Sequence, residues 1–155
     1  IRYPRGQGEL QDWEIEMDSI EIGKGRKLKD GKELAILSIG PIGNAVEKAI
    51  VEVEKDGYSI AHYDMIFLKP IDKDLLEEVA KGYKKIMTVE NGVLSGGLGS
   101  AVLEHLSDFG HKDIDVTRVG LPDEFVTHGS INELNKLCKL DAEGLKERIL
   151  EVLKK

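Results

Sequence analysis

A chain of 155 residues, 41% hydrophobic and 33% charged, is the size of one domain and can bury a proper core. Its net charge of −7 comes from acidic residues spread along the chain, which argues against nucleic acid as a partner because phosphate binding needs a basic patch. No apolar run approaches the roughly 18 residues that a membrane helix needs, so no membrane partner is expected either.

The opening Ile1-Arg2-Tyr3-Pro4-Arg5 has neither a start methionine nor an apolar signal region, and the chain is expected to be a piece of a longer protein. Residues 1–18, rich in Gly, Glu and Asp, read as a strand end followed by an interdomain linker, with one domain over 19–155. Ile20–Lys29 precedes the regular series and is separated from the next apolar run only by Asp30-Gly31-Lys32. That turn is short enough for a hairpin, and one antiparallel strand is expected here. Leu34-Ala35-Ile36-Leu37 is a continuous apolar run of the kind covered on both faces, closed by Gly40 and Pro41.

Ile42, Ala45, Val46, Ala49, Ile50 and Val53 then share one helix face, which Asp56-Gly57 ends. Ser59–Asp64 reads as a strand. Leu75, Leu76, Val79 and Ala80 mark a second helix, with Asp72 and Asp74 near its positive end. Lys85–Val89 is a further strand, and the glycine-rich segment Gly92–Gly99 leads into a helix carrying Ala101, Val102, Leu106 and Phe109. A last strand, Ile114–Val119, precedes helices near Ile131–Lys139 and Asp141–Lys155. Strand and helix alternating at this spacing predict a three-layer α/β/α fold. Its five-stranded sheet is mostly parallel, with one antiparallel strand near the N-terminus.

Candidate chemistry is sparse. Glycines between a strand and a helix can bring amides against a phosphate, but Gly96-Gly97-Leu98-Gly99 does not have the dinucleotide-binding spacing. Tight packing is the favoured reading of that segment, with a small-anion or nucleotide module as the alternative. His62, His105, His111 and His128 show no metal-binding spacing, and one cysteine cannot complete a zinc set with them, so no metal site is expected. His62 falls mid-strand and reads as a satisfied or half-exposed structural residue, whereas His128 lies on a loop with no evident partner.

Glu90 ends a strand at the edge where α/β sheets place ligand groups; capping the following turn is favoured over acid/base work. Cys138, among Leu134, Leu137 and Leu140, is expected to be a buried thiol, and a single cysteine fits a reducing, cytoplasmic compartment. The residues alone stop at an α/β domain without a self-contained active site.

Several segments, in order, resemble the 1-deoxy-D-xylulose-5-phosphate synthases. They are Ile1-Arg2-Tyr3-Pro4-Arg5-Gly6, Ile22-Gly23-Lys24-Gly25, Leu34–Gly40, Asp64–Asp72, Thr88–Gly92, Gly96–Ala101, Gly120–Phe125 and His128-Gly129-Ser130. Lys69-Pro70 and the Gly-Gly-x-Gly turn are shared with transketolases and with 2-oxo-acid dehydrogenase β subunits. Gly120-Leu121-Pro122-Asp123 and the Arg-Tyr-Pro-Arg opening point more narrowly to the synthase. Ile66 departs from the pattern, which has arginine there, so no role is carried to it.

The resemblance implies a transketolase C-terminal-like domain over 19–155, preceded by the end of a pyrimidine-binding domain. The parent would be a homodimeric transferase that joins pyruvate to D-glyceraldehyde 3-phosphate with loss of CO₂, feeding isoprenoid precursor synthesis. Thiamine diphosphate and Mg²⁺ would supply the carbanion chemistry from residues upstream of Ile1. In this chain no catalytic, cofactor-binding or metal-binding residue is implied, and the fragment is expected to be inactive. The one carried-over contact is Arg5, whose guanidinium fork suits the phosphate of the aldehyde substrate.

Overall fold

The computed structural model describes residues 19–155. The expectations placed on residues 1–18, Arg5 included, lie outside the described residues. Leu34–Ile39 forms a central strand because both of its faces are covered. Leu34 and Ile36 pack toward one side, and Ala35 and Leu37 toward the other, all four with no solvent exposure.

In chain order the elements are β1 (Arg26–Lys29), β2 (Leu34–Ile39), α1 (Gly43–Glu54), β3 (Ile60–Asp64) and α2 (Lys73–Gly82). They continue with β4 (Lys85–Val93), α3 (Leu98–Asp108), β5 (Asp115–Leu121), α4 (Ile131–Leu137) and α5 (Ala142–Lys154). The sheet runs β1-β3-β2-β4-β5, with β2, β3, β4 and β5 parallel and β1 antiparallel. The stripe of Val46, Ala49, Ile50 and Val53 on α1 and that of Leu145, Ile149 and Val152 on α5 close one face. Leu76, Val79 and Ala80 of α2, with Leu98, Val102 and Leu106 of α3, close the other. This is the expected three-layer arrangement.

The expected hairpin does not form. β1 pairs with β3 rather than with β2, Arg26 lying opposite Asp64 and Lys27 opposite Tyr63. Gly31 supplies the physical reason. A Cβ there would stand 2.1 Å from the Ala61 nitrogen and the Ile60 carbonyl carbon, so only glycine lets the chain cross against the start of β3. The amides of Lys32 and Glu33 then both donate to the Ser59 carbonyl at 3.0 Å, and β2 enters on the far side of β3.

β4 is also longer than periodicity suggests. It reaches Val93, with its pairing to β5 irregular between Val89 and Val93, so the first glycine of the Gly92–Gly99 segment belongs to the strand. Asp72, Ser130 and Asp141 cap α2, α4 and α5 by accepting backbone N–H bonds, and Ser130 with Glu133 forms a full capping box. Cys138 is only partly buried, a correction to the buried thiol expected. It follows α4 directly, and exposed Leu137 leaves its side uncovered while Leu140 alone of its neighbours is fully buried.

Candidate functional site

The carboxyl ends of parallel strands are where such sheets gather functional groups, and here that edge is closed by Glu90. Its side chain is 4% exposed and lies under the turn that opens α3, where Oε1 accepts the Gly99 N–H at 3.0 Å. The turn must be glycine for this to happen. A Cβ on Gly97 would fall 2.1 Å from Glu90 Oε2, and one on Gly120 would fall 3.1 Å from Glu90 Cγ and 2.9 Å from the Gly92 carbonyl. A negative carboxylate at a helix N-terminus complements the free amides and the macrodipole there. Glu90 is thus a cap, as the sequence favoured.

The same geometry removes the anion-module alternative. The Gly99 amide, which a phosphate at this helix start would need, already donates to a carboxylate, and a second anion would meet like charge in a buried setting.

Arg118, which the sequence reading did not single out, fastens this segment from β5. Its Nη1 donates to the Leu94 carbonyl at 3.0 Å and to Ser100 Oγ at 3.4 Å. Ser100 Oγ in turn donates to Leu94 O at 3.2 Å and accepts the Gly96 N–H at 3.0 Å. The signal was an arginine two residues before the glycine of the Gly-Leu-Pro-Asp motif, but its reach to Leu94 depends on the β4–β5 register.

A second polar pair lies inside the sheet. Ser38 Oγ and His62 Nε2 are 2.8 Å apart, a nucleophile–base spacing. Ser38 is 1% and His62 2% exposed, so no substrate reaches them. Nor does Asp64 complete a triad, since its Oδ2 accepts from Arg26 and its Oδ1 from the Ile66 amide. Burial is the main cause that pushes the His62 imidazole down to about 4, against the opposing pull of Asp64. It is a satisfied core histidine, as expected.

His105 and His111 meet on one oxygen of a residue distant in sequence: each Nε2 lies 2.9 Å from Glu77 Oε1. The bond from His111 is the largest cause holding the Glu77 carboxyl below its ordinary value, with burial opposing and His105 assisting. The cluster ties α2 to α3 and to the turn after it. Among the described residues, no group of three or more His, Cys, Asp or Glu is arranged to hold a metal ion, and no helix is long and apolar enough to cross a membrane. His128 is exposed on the loop before α4. Ile66 takes φ 53°, a left-handed conformation that a β-branched residue rarely adopts, just past the carboxyl end of β3.

Residues 23–145 match the family model for the transketolase C-terminal domain. The chain belongs to that family. Among curated relatives it is 56% identical over 149 residues to the 1-deoxy-D-xylulose-5-phosphate synthase of Parabacteroides distasonis. That match covers 96% of this chain and 23% of the relative.

The synthase of Phocaeicola vulgatus is 54% identical, covering 94% of this chain and 23% of the relative. For the synthase of Clostridium acetobutylicum the figures are 42%, 97% and 24%. The chain therefore spans about a quarter of the length of these relatives and matches their C-terminal part.

A solved structure described as a split gene transketolase, inactive beta4 tetramer, superposes with a TM-score of 0.79 at 33% identity. It covers 87% of this chain and 44% of its own. The resemblance read from the motifs and the three-layer fold are both borne out.

Proposed function

We propose that this chain is the C-terminal domain of a 1-deoxy-D-xylulose-5-phosphate synthase and that it supports the catalytic apparatus without containing it. The observation that carries the reading is the 56% identity to such a synthase over 96% of the chain. In the full-length enzyme, pyruvate and D-glyceraldehyde 3-phosphate condense with loss of CO₂, on thiamine diphosphate and Mg²⁺, in a cytoplasmic homodimer.

The described residues do not fit the cofactor: they offer no metal-binding cluster, and the glycine-rich helix start is filled by Glu90. The proposal accordingly places thiamine diphosphate and Mg²⁺ on residues upstream of Ile1. Residues 1–18 end the preceding pyrimidine-binding domain and lead into 19–155. Arg5 is the one residue of this chain assigned to substrate, as a fork for the aldehyde phosphate.

The test is an assay of the full-length protein with both substrates, following CO₂ and deoxyxylulose phosphate together. Turnover is expected, with Arg5→Ala raising the KM for glyceraldehyde 3-phosphate by at least ten-fold and that for pyruvate far less. Turnover of pyruvate with a lipoyl acceptor instead would identify a 2-oxo-acid dehydrogenase.

A further inference from the structure

Three Asx-Gly pairs stand in the sequence: Asp30-Gly31, Asp56-Gly57 and Asn91-Gly92. At such a pair the glycine nitrogen can attack the side-chain carbonyl carbon of the residue before it, because no Cβ obstructs the rotation that brings the two into line. In an unfolded chain Asn91 would react first, since a carboxamide loses ammonia more readily than a carboxyl group loses water. The fold treats the three pairs differently.

Two of them are held out of line. Asn91 and Gly92 lie within β4, where the backbone is extended and Asn91 Oδ1 is buried. The Gly92 carbonyl stands 2.9 Å from the place a Cβ on Gly120 would take, so β5 leaves this pair little room to turn. Gly31 is wedged against the Ile60 and Ala61 backbone, and the Lys32 and Glu33 amides just after it are both bonded to the Ser59 carbonyl. Asp30 Oδ1 faces Lys27 Nζ at 3.4 Å.

Asp56-Gly57 lies in the open. Both residues are exposed in the turn that ends α1, and Gly57 takes φ 92°. No atom beyond its chain neighbours lies within 4 Å of the place its Cβ would occupy. The turn is closed by the Asp56 and Gly57 amides, which donate to the Val53 and Glu54 carbonyls at 3.0 Å. Such bonds at a helix end open at little cost, which frees the Gly57 nitrogen.

We propose that Asp56 is the site of spontaneous isoaspartate formation in this domain. The Gly57 nitrogen bonds to Asp56 Cγ, and the carboxyl OH leaves with the amide proton as water, giving a five-membered succinimide. Water then adds back to one of the two ring carbonyls. When the bond between the Asp56 main-chain carbonyl and the Gly57 nitrogen breaks, the chain continues through Cγ and the residue is isoaspartate. The mass is unchanged, and no oxidant or reductant takes part.

The product lengthens the main chain by one carbon just before the junction that starts β3. There Tyr58 packs against the core, and Ser59 donates its N–H to Glu33 Oε2 at 2.7 Å while its carbonyl holds the two amides that lead into β2. Because α1 runs back from the carboxyl edge, this turn sits at the amino edge of the sheet, away from Glu90. The chemistry needs only this turn and water, whatever reaction the parent enzyme carries out.

The test ages the full-length protein at neutral pH, folded and in parallel in guanidinium chloride. Isoaspartate is mapped with a protease that cleaves before aspartate but not before isoaspartate, and deamidation by mass. In the folded protein isoaspartate at position 56 should exceed that at 30, and the deamidation product at 91, by about ten-fold or more. In guanidinium chloride Asn91 should overtake it. Asp56→Glu, whose ring would need six members, should abolish the product at that position. Isoaspartate led by position 30, deamidation at 91 outrunning position 56 in the folded state, or no product at 56 while the denatured protein reacts would each overturn the proposal.

Discussion

Two regions at the same edge of the sheet are built in opposite ways. Around Glu90 every neighbour is fitted to a single side chain: Gly97 and Gly120 lack the Cβ that would strike it, Gly99 donates to it, and Arg118 fastens the loop above. From Pro122 to Lys139 the chain is capped yet fully buries none of its apolar side chains and leaves Phe125, Ile131 and Leu137 exposed. The first region is finished within the domain; the second leaves large apolar side chains in the open. A position on the ligand-bearing edge therefore does not make a site, because one half of this edge is filled from within and the other half is an exposed face.

The comparison can be broken most forcefully at Gly97. Gly97→Ala places a methyl group where the Glu90 carboxylate sits, displacing a buried charge from its cap. It is expected to cost about 3–4 kcal/mol in urea unfolding, in line with breaking a buried charged interaction. A loss below about 1 kcal/mol would show that Glu90 can leave its place freely.

Next in size is a pH effect confined to the packed half. The folded His62 titrates at about 4 against an unfolded value of about 6.5, so between these values the unfolded chain holds a proton that the folded one does not. Stability should fall as the pH drops below about 6.5 and level off below about 4, a loss of about 3 kcal/mol from this group. His62→Gln should flatten that part of the profile, and an unchanged profile would contradict the burial account.

Two smaller effects probe the other region. Ser130→Ala removes half of the capping box and should weaken α4 by about 1 kcal/mol. Because α4 buries nothing, the loss should be seen as faster amide exchange in 131–137 and leave the global unfolding midpoint almost unmoved. Phe125→Ser should change the stability of residues 19–155 by no more than about 0.5 kcal/mol, as for an uninvolved surface position. A larger loss would mean that Phe125 packs within the domain.

Much of the fold is legible in the sequence, for identifiable reasons. Leu34–Leu37 reads as a doubly covered strand because nothing in it tolerates water, and the α1 and α5 stripes follow from spacing alone. Glu90 was readable as a cap because it stands at a strand end just before glycines. The partner of β1 was not. A three-residue turn suggests a hairpin locally, whereas pairing order is settled by the close passage of Gly31 over β3.

Side-chain meetings that depend on register stayed hidden for the same reason. Ser38 finds His62 across two parallel strands, and Glu77 collects His105 and His111 from different elements. Arg5 lies outside the described residues. The motifs Gly120–Phe125 and His128–Ser130, the most family-specific part of the interior, fall on a stretch in which the domain buries no residue.

The central claim is the proposal that residues 19–155 hold no cofactor of their own, the glycine-rich start of α3 being capped by Glu90. Calorimetric titration of thiamine diphosphate with Mg²⁺ into the 155-residue chain tests it most directly. The account predicts no binding heat up to millimolar cofactor. Saturable binding in the micromolar range would contradict it.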